Sequence, residues 1–544
     1  MPSININGRE CEFSQGQSIL EVALEHEHEI PHYCWHPGLS VVANCRICLV
    51  ELWAPNPRND NALEEIPKLM PACQTPAADG QVVYTDSPKA IGNQRAVMEY
   101  LLINHPVDCP VCDQAGECSL QDYSYRYGRS ASRFQEQKIK QPKKDLGPNV
   151  LLYSDRCIMC TRCVRFTREV TGTSELLVEG RGAQEQIDVF PGLALDNELS
   201  GNVIDLCPVG ALLDKDFLFQ QRVWYLTSTP SIDGLTSGGD NISVEHNNGV
   251  VYRIKPRTNP DVNGWWISDE IRYGWSFVHD ESRLRIPRLR EHVPWEPEEA
   301  AGAWGEATDR ALEGLQSAGH IAAIISPMLS CEDAWYLGRL ARELDEKATL
   351  VVGPVPMQGE DKTFPGGYTV RAEKAPNARG VRRVLSALGG EVVEFDAIAG
   401  ACSSADAVLV TGNYPSAWVT DSLLAAVGDR FTVLLDTMPN RLVERADVFL
   451  PTATWMEKSG TFQNVDDRLQ AFERAIEPVD YCKSEAQIAL DLAARHRGEA
   501  ATWFNAALAR HQMAAEGGLK EFITEVHRPS TEHCIESDME MIEL

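Results

Sequence analysis

Apolar and polar residues alternate at the start of the chain. Ile4 and Ile6 run into Asn7-Gly8, and Cys11 and Phe13 continue beyond it. A period of two broken by Asn-Gly predicts a β-hairpin. Ile19, Leu20, Ala23 and Leu24 then share one face of a short helix, and Leu49–Trp53 reads as a strand. Ser87-Pro88 offers an N-cap and a proline at the first helical position. Ala90, Ile91, Val97, Met98, Leu101 and Leu102 mark the face of the helix that follows, which ends near Asn104. The polar, Lys-rich stretch Gln135–Lys144 reads as a linker whose lysines form a solvated surface. Asn241–Pro256 predicts strand, turn and strand around Asn248-Gly249. From His320 the pattern changes: strand-like Ile321–Ile325, Thr349–Val352, Ala407–Thr411 and Phe431–Leu435 alternate with helix-like Asp333–Glu343, Gly380–Leu388 and Asp421–Val427. That alternation predicts a parallel α/β layer.

A chain of 544 residues implies several domains. Its net charge of −29 argues against nucleic acid and anionic membrane as direct partners. No apolar run is long enough to span a bilayer and no signal-peptide core opens the chain, so a cytoplasmic location is expected. The cysteines change the picture most. Of 16, 12 lie at or before Cys207. A chain this long with no secretory signal is not a disulfide-stapled mini-protein, so these cysteines read as metal ligands kept reduced.

Cys157, Cys160 and Cys163 stand at C-x₂-C-x₂-C spacing, and Cys207-Pro208 follows at a distance. In bacterial ferredoxins such runs occur twice, and the fourth Cys of each binds the other run's cluster. In that register the second set of positions falls on Thr167, Asn197, Ser200 and Val203. One set is complete and the other wholly lost, which reads as a ferredoxin fold reduced to a single [4Fe–4S] centre. Cys109, Cys112 and Cys118 lack a fourth thiolate, and His105 is the nearest soft donor, giving a His/Cys₃ [4Fe–4S] set. Zinc is the alternative at both places. Cys34, Cys45, Cys48 and Cys73, after a hairpin and a helix, resemble a plant-type [2Fe–2S] β-grasp ferredoxin, although ten residues separate Cys34 from Cys45. Cys11 reads as a small core residue, and Cys331, Cys402, Cys482 and Cys534 as isolated structural or surface thiols. Neither G-x-G-x-x-G after a strand nor a P-loop motif recommends a nucleotide site.

Three ligand sets in this order resemble the family of large iron–sulfur subunits of respiratory complex I, the NADH–quinone oxidoreductase. The likeness continues in Arg222-Val-Trp224 with Thr229–Asp233, in Ala446–Pro451, and in Glu457–Asn464 with Arg468 and Gln470. It implies a [2Fe–2S] domain over 1–85, a His/Cys₃ segment over 86–134 and a single-cluster [4Fe–4S] ferredoxin-like domain over 145–220. A molybdopterin-oxidoreductase-like α/β domain without molybdenum or pterin follows over 221–485, then a helical tail over 486–544. The implied cofactors are one [2Fe–2S] and two [4Fe–4S] clusters. The implied role is an electron relay with no acid, base or nucleophile of its own. Electrons would arrive singly from a flavin- and NADH-binding subunit at the [2Fe–2S] centre, then pass through the Cys₄ and His/Cys₃ clusters. They would leave for a further iron–sulfur subunit of the peripheral arm, on the cytoplasmic side of the inner membrane, with the membrane touched only through the complex. A fourth cluster carried by some relatives is expected to be absent, because Asp233–Asp240 and the neighbourhood of Ser268 hold no Cys. The chain is also shorter than most such subunits, leaving little room for a last pterin-binding domain. The runner-up is an iron–sulfur subunit of an NAD-linked hydrogenase or formate dehydrogenase.

Overall fold

The computed structural model describes residues 1–529 apart from 293, 294, 297, 298 and 391, so Cys534 lies outside the described residues. Two units emerge from the contacts: residues 1–226 with 363–368, and residues 227–362 with 369 onward.

In the first unit, β1 (Ser3–Ile6) and β2 (Arg9–Glu12) form the expected antiparallel hairpin. Asn7 and Gly8 both take positive φ (50° and 90°), as the tight turn requires. α1 (Ile19–Glu25) starts at a capping box, with Ser18 accepting from the Glu21 N–H and Glu21 accepting from the Ser18 N–H. Its buried face is Ile19, Leu20, Val22 and Ala23; Leu24, expected inside, is 40% exposed. The segment before Cys73 is not only loop. β3 (Leu49–Asn56) pairs with β4 (Ala62–Glu65), β5 (Met70–Pro71) and β6 (Val82–Tyr84), and β6 runs parallel to β1. Sheet order is β2-β1-β6-β3-β4, with α1 packed against it through a core of Ile4, Ile6, Leu20 and Val50.

α2 (Pro88–Leu102) begins at Ser87, whose hydroxyl accepts from Ala90 N–H. Ala90, Gln94 and Met98 are its buried residues. Ile91, Val97, Leu101 and Leu102 are only half-buried, because Gln94 takes the inner stripe by donating to the Thr85 carbonyl. α3 (Ser119–Tyr127) follows the three-Cys segment. The supposed linker ends in structure: β7 (Lys143–Asp145) pairs with β8 (Val150–Tyr153), so Lys143 and Lys144 are strand residues. Lys144 is bound to Asp188, and Lys143 sits 4.2 Å from the centre of the Tyr153 ring.

The ferredoxin-like module then repeats a strand, helix, strand pattern. Its first half is β8, α4 (Arg162–Arg165), which passes into a wider turn over Phe166–Val170, and β9 (Leu176–Glu179). Its second half is β10 (Gln186–Val189), α5 (Asn202–Leu206) and β11 (Leu212–Asp214). β8 pairs with β11 and β9 with β10, so the two halves close on each other. Residues 363–368 join this unit, with Gly366 N–H donating to the Val170 carbonyl.

The second unit opens with an antiparallel sheet of Thr227–Ile232, Asn241–Asn247 and Val250–Pro256. Its main sheet has seven strands. Val448–Pro451, Phe431–Asp436, Ala407–Thr411, Ile321–Ile325, Thr349–Val352 and Val392–Val393 run parallel, with Arg288–Leu289 antiparallel at one edge. Helices cover both faces, burying near-continuous apolar strands as parallel sheets require. Helices Glu485–Arg497 and Ala506–Glu516 add Ile488, Leu492 and Met513 to the same core. Buried ion pairs tie the late motif down: Lys458 lies between Asp333 (2.9 Å) and Glu485 (2.5 Å), and Arg283 meets Glu457 at 2.8 Å. Cys331 and Cys402 are fully buried on opposite faces of the sheet, Cys482 and Cys11 are likewise internal, and the isolated thiols are packing residues. Among the described residues no helix is long and apolar enough to cross a membrane.

Candidate metal centres

Cys34, Cys45, Cys48 and Cys73 are brought together by the β3–β5 pairing. Leu49 opposes Pro71 and Val50 opposes Met70, which sets Cys73 beside Cys48 with 3.5 Å between sulfurs. The Cys34 thiol is hydrogen-bonded to Cys45 and Cys73. Positive φ at Ala43 (49°) and Arg46 (58°) curls the loop so that its thiols face inward. Crowding divides the thiols electrostatically. Hydrogen bonds with Cys34 and Cys48 pull Cys45 far below the usual thiol range, while the Cys45 contact pushes Cys48 up to about 12.

Cys157, Cys160, Cys163 and Cys207 border one cavity, walled by Leu152, Ile187 and Leu212. Met159 (52°) and Thr161 (60°) take left-handed backbone conformations, wrapping the loop around it. Burial pushes Cys157 and Cys160 up to about 12. It also raises Cys207, against the N–H groups of Val209, Leu212 and Ala211, which all point at that sulfur. Met159 N–H likewise reaches Cys157 Sγ at 3.4 Å. Neutral thiols suffer from none of this burial. The arrangement suits thiolates whose charge is taken by a metal group and by backbone donors.

His105, Cys109, Cys112 and Cys118 border a second cavity with Asp108, Ala115, Gln121 and Gly210. Burial lowers the imidazole pKa, and the Lys138 and Arg156 charges push the same way against Asp108, so His105 is a neutral donor. Lys138, read from sequence as a solvated linker lysine, donates instead to the carbonyls of Leu102 (2.9 Å) and His105 (2.6 Å). It thereby fixes the helix end that delivers His105. Arg156 is 2% exposed, grips Asp108 (Nη2 to Oδ2, 2.6 Å), and stacks on Tyr153 at 4.1 Å.

One segment serves both cavities. Val209 and Ala211 line the Cys157 cavity, while Gly210 lines the His105 cavity. A Cβ on Gly210 would overlap Cys112 Sγ, so only glycine lets the Cys207 segment approach so closely. Among the described residues no three His, Cys, Asp or Glu side chains converge as ligands of one ion would. The four positions of the lost set are built differently. Thr167, Ser200 and Val203 have no exposed surface, and Asn197 donates to Glu175 at 2.9 Å. Asn149 donates to Ser200 Oγ at 3.3 Å.

Arg156, Arg162, Arg165, Lys138 and Gly210 escaped the reading from sequence. The signal was there for two of them: Arg162 sits between Cys160 and Cys163, and Gly210 three residues beyond Cys207.

Five family matches fall along the chain in order. They are a 2Fe–2S iron–sulfur cluster binding domain (2–88), the NADH–ubiquinone oxidoreductase-G iron–sulfur binding region (94–133) and the ferredoxin-like domain of NADH–quinone oxidoreductase subunit 3 (147–213). The NDSU1/NuoG-like 4Fe–4S domain (226–276) and molybdopterin oxidoreductase (391–495) follow. The 226–276 match holds no Cys; Ser268 there caps a helix, accepting from Ile271 N–H. The G subunit of the Rickettsia felis NADH–quinone oxidoreductase is 37% identical over 346 residues, covering 63% of this chain and 49% of that protein. The 78 kDa subunit of the Neurospora crassa mitochondrial NADH–ubiquinone oxidoreductase is 41% identical over 316 residues, covering 58% and 40%. The chain thus spans about half the length of the curated relatives it matches. A solved NAD⁺-reducing [NiFe]-hydrogenase shares 29% identity at a TM-score of 0.34, covering 41% of this chain and 91% of that one. The chain carries 2Fe–2S and 4Fe–4S binding domains ahead of a molybdopterin-oxidoreductase domain, and over its matched length it is homologous to the large iron–sulfur subunit of NADH–quinone oxidoreductase.

Proposed function

We propose that this chain is an electron-relay subunit of an NADH:quinone oxidoreductase. Cys34, Cys45, Cys48 and Cys73 would hold a [2Fe–2S] cluster, and His105, Cys109, Cys112 and Cys118 a [4Fe–4S] cluster. A second [4Fe–4S] cluster would rest on Cys157, Cys160, Cys163 and Cys207. Such clusters supply one-electron redox chemistry at potentials set by charge, hydrogen bonding and burial. The protein's part is positional. Buried loops exclude water, backbone N–H groups face the sulfurs, and the Val209–Ala211 turn separates two cavities by a single pass of the backbone. That shared wall is the observation that carries the reading, because a relay needs neighbouring centres and a structural zinc does not. The partners are a flavin- and NADH-binding subunit and a downstream iron–sulfur subunit, with the complex at the cytoplasmic side of the inner membrane.

The relatives' names favour this over a hydrogenase or formate dehydrogenase subunit. The α/β unit serves as a scaffold without molybdenum: Cys331 is locked in the core beside Asn377, with Sγ 3.5 Å from that side chain, and Cys402 is internal. Anaerobic metal analysis tests the assignment. Three clusters require about ten irons per chain; stoichiometric zinc, or iron near six, removes a [4Fe–4S] assignment.

A further inference from the structure

Arg165 is a buried cation and Arg162 a half-buried one, and among the described residues neither has an anionic partner. Arg165 is 3% exposed. Among the described residues neither guanidinium forms an ion pair; each bonds only to carbonyl oxygens. Arg162 donates to Leu206 (3.3 Å), next to Cys207, and to Trp35 (2.6 Å), next to Cys34. Arg165 donates to the carbonyls of Ser40 and of Cys34 itself. Their Nε atoms are buried with no partner. The charged or titratable neighbours of Arg162 include Cys160, Cys207 and Cys34, drawn from both thiolate-only sets, together with Arg165, His32 and Tyr123. Nearby His36 is kept neutral by burial and by these two arginines. Glu169 feels Arg165, but its carboxylate is taken by the Ser40 N–H and hydroxyl and by Arg168.

An unpaired buried charge costs several kcal/mol, and arginine cannot escape it by losing its proton. The anions that would balance this pair are the thiolate-ligated clusters on either side. We propose that Arg162 and Arg165 are the shared counter-ion of the Cys34/Cys45/Cys48/Cys73 and Cys157/Cys160/Cys163/Cys207 centres, raising both reduction potentials together. The inference rests on the cluster assignment above. Each added electron deepens the negative charge the guanidiniums face, so they favour the reduced form of both centres. The His105 site has a different arrangement: its buried arginine, Arg156, is already neutralised by Asp108.

The test is a potentiometric titration followed by electron paramagnetic resonance, on the full chain or its complex. Wild-type protein lacking the iron and the cluster signals would overturn the cluster assignment itself, before any variant is read. With iron present, Arg162→Gln should make both thiolate-only centres harder to reduce by about tenfold in equilibrium, roughly 59 mV for one electron. The His105 centre should move by less than about twofold. Arg162→Lys keeps the charge but not the two-carbonyl fork, and should restore both potentials. Unshifted potentials in an iron-replete Arg162→Gln protein overturn the proposal, as does a lysine variant that falls as far as the glutamine one. Should Arg162→Gln lose its iron, Arg162→Lys decides alone: potentials near wild type support a counter-ion, and a tenfold fall refutes it.

Discussion

The two halves of the ferredoxin-like module have the same sequence of elements, and the two sets of ligand positions they share have opposite interiors. Around Cys157, Cys160, Cys163 and Cys207 the chain keeps a cavity, left-handed loop residues and amides aimed at sulfur. Around Thr167, Asn197, Ser200 and Val203 it has closed up, with every position buried and the polar ones hydrogen-bonded. Positions that match the ferredoxin register but lack its ligands are therefore packed rather than hollow. Voids forfeit packing contacts, and short polar side chains near a former site can satisfy each other, as Asn197 and Glu175 do. The Cys-free segment 226–276 of the other unit is also held by oxygen donors and acceptors. Its Asp233 accepts from the N–H groups of Leu235 and Thr236 and from the Thr236 hydroxyl, a turn held together by oxygen.

The largest effect that separates the two sets is at a proposed ligand. Cys160→Ser should remove about four irons per chain and the corresponding signal, while Ser200→Ala at the equivalent depth keeps all of them and costs about 1 kcal/mol in denaturant unfolding. Equal iron loss in both would mean that the closed set also holds metal. Next is the wall between cavities. Gly210→Ala should displace Cys112 and make the His105 centre labile, seen as iron lost from that centre first; a fully loaded, unshifted variant would mean the segment yields easily. A third effect concerns the oxygen-held turn. Burial and the neighbouring Asp240 push Asp233 up to about 8. A carboxyl raised on folding contributes stability below its unfolded value near 4, which is lost as pH rises through about 8. Stability should therefore fall between those limits, by an amount on the order of a few kcal/mol. Asp233→Asn should flatten that slope in urea titrations across the range.

Local chemistry was legible in the chain. Asn7-Gly8, Ser87-Pro88 and Asn248-Gly249 set turns and a cap from neighbouring residues alone. Cysteine spacing picked out residues that the structure gathers at one knot of thiols and two cavities, and the apolar alternation after His320 drew out the parallel sheet. What stayed hidden depends on partners far along the chain. Lys138 looked like any linker lysine until its ammonium met the carbonyl of Leu102. Arg162 bonds to Trp35, 127 positions away, and no periodicity reports such a pairing. The buried role of Gln94 was missed for the same reason, since polarity predicts the outside unless a backbone acceptor waits within.

The Val209–Ala211 wall also bears on how the protein matures. Its two faces border different cavities. If both cavities hold clusters as proposed, filling one would restrain the shared segment and so supply part of the ordering needed by the other. Loading of the two sites would then be cooperative, and half-loaded chains would be scarce at equilibrium. A cell short of iron would hold a mixture of complete and empty chains rather than a population of partial wires.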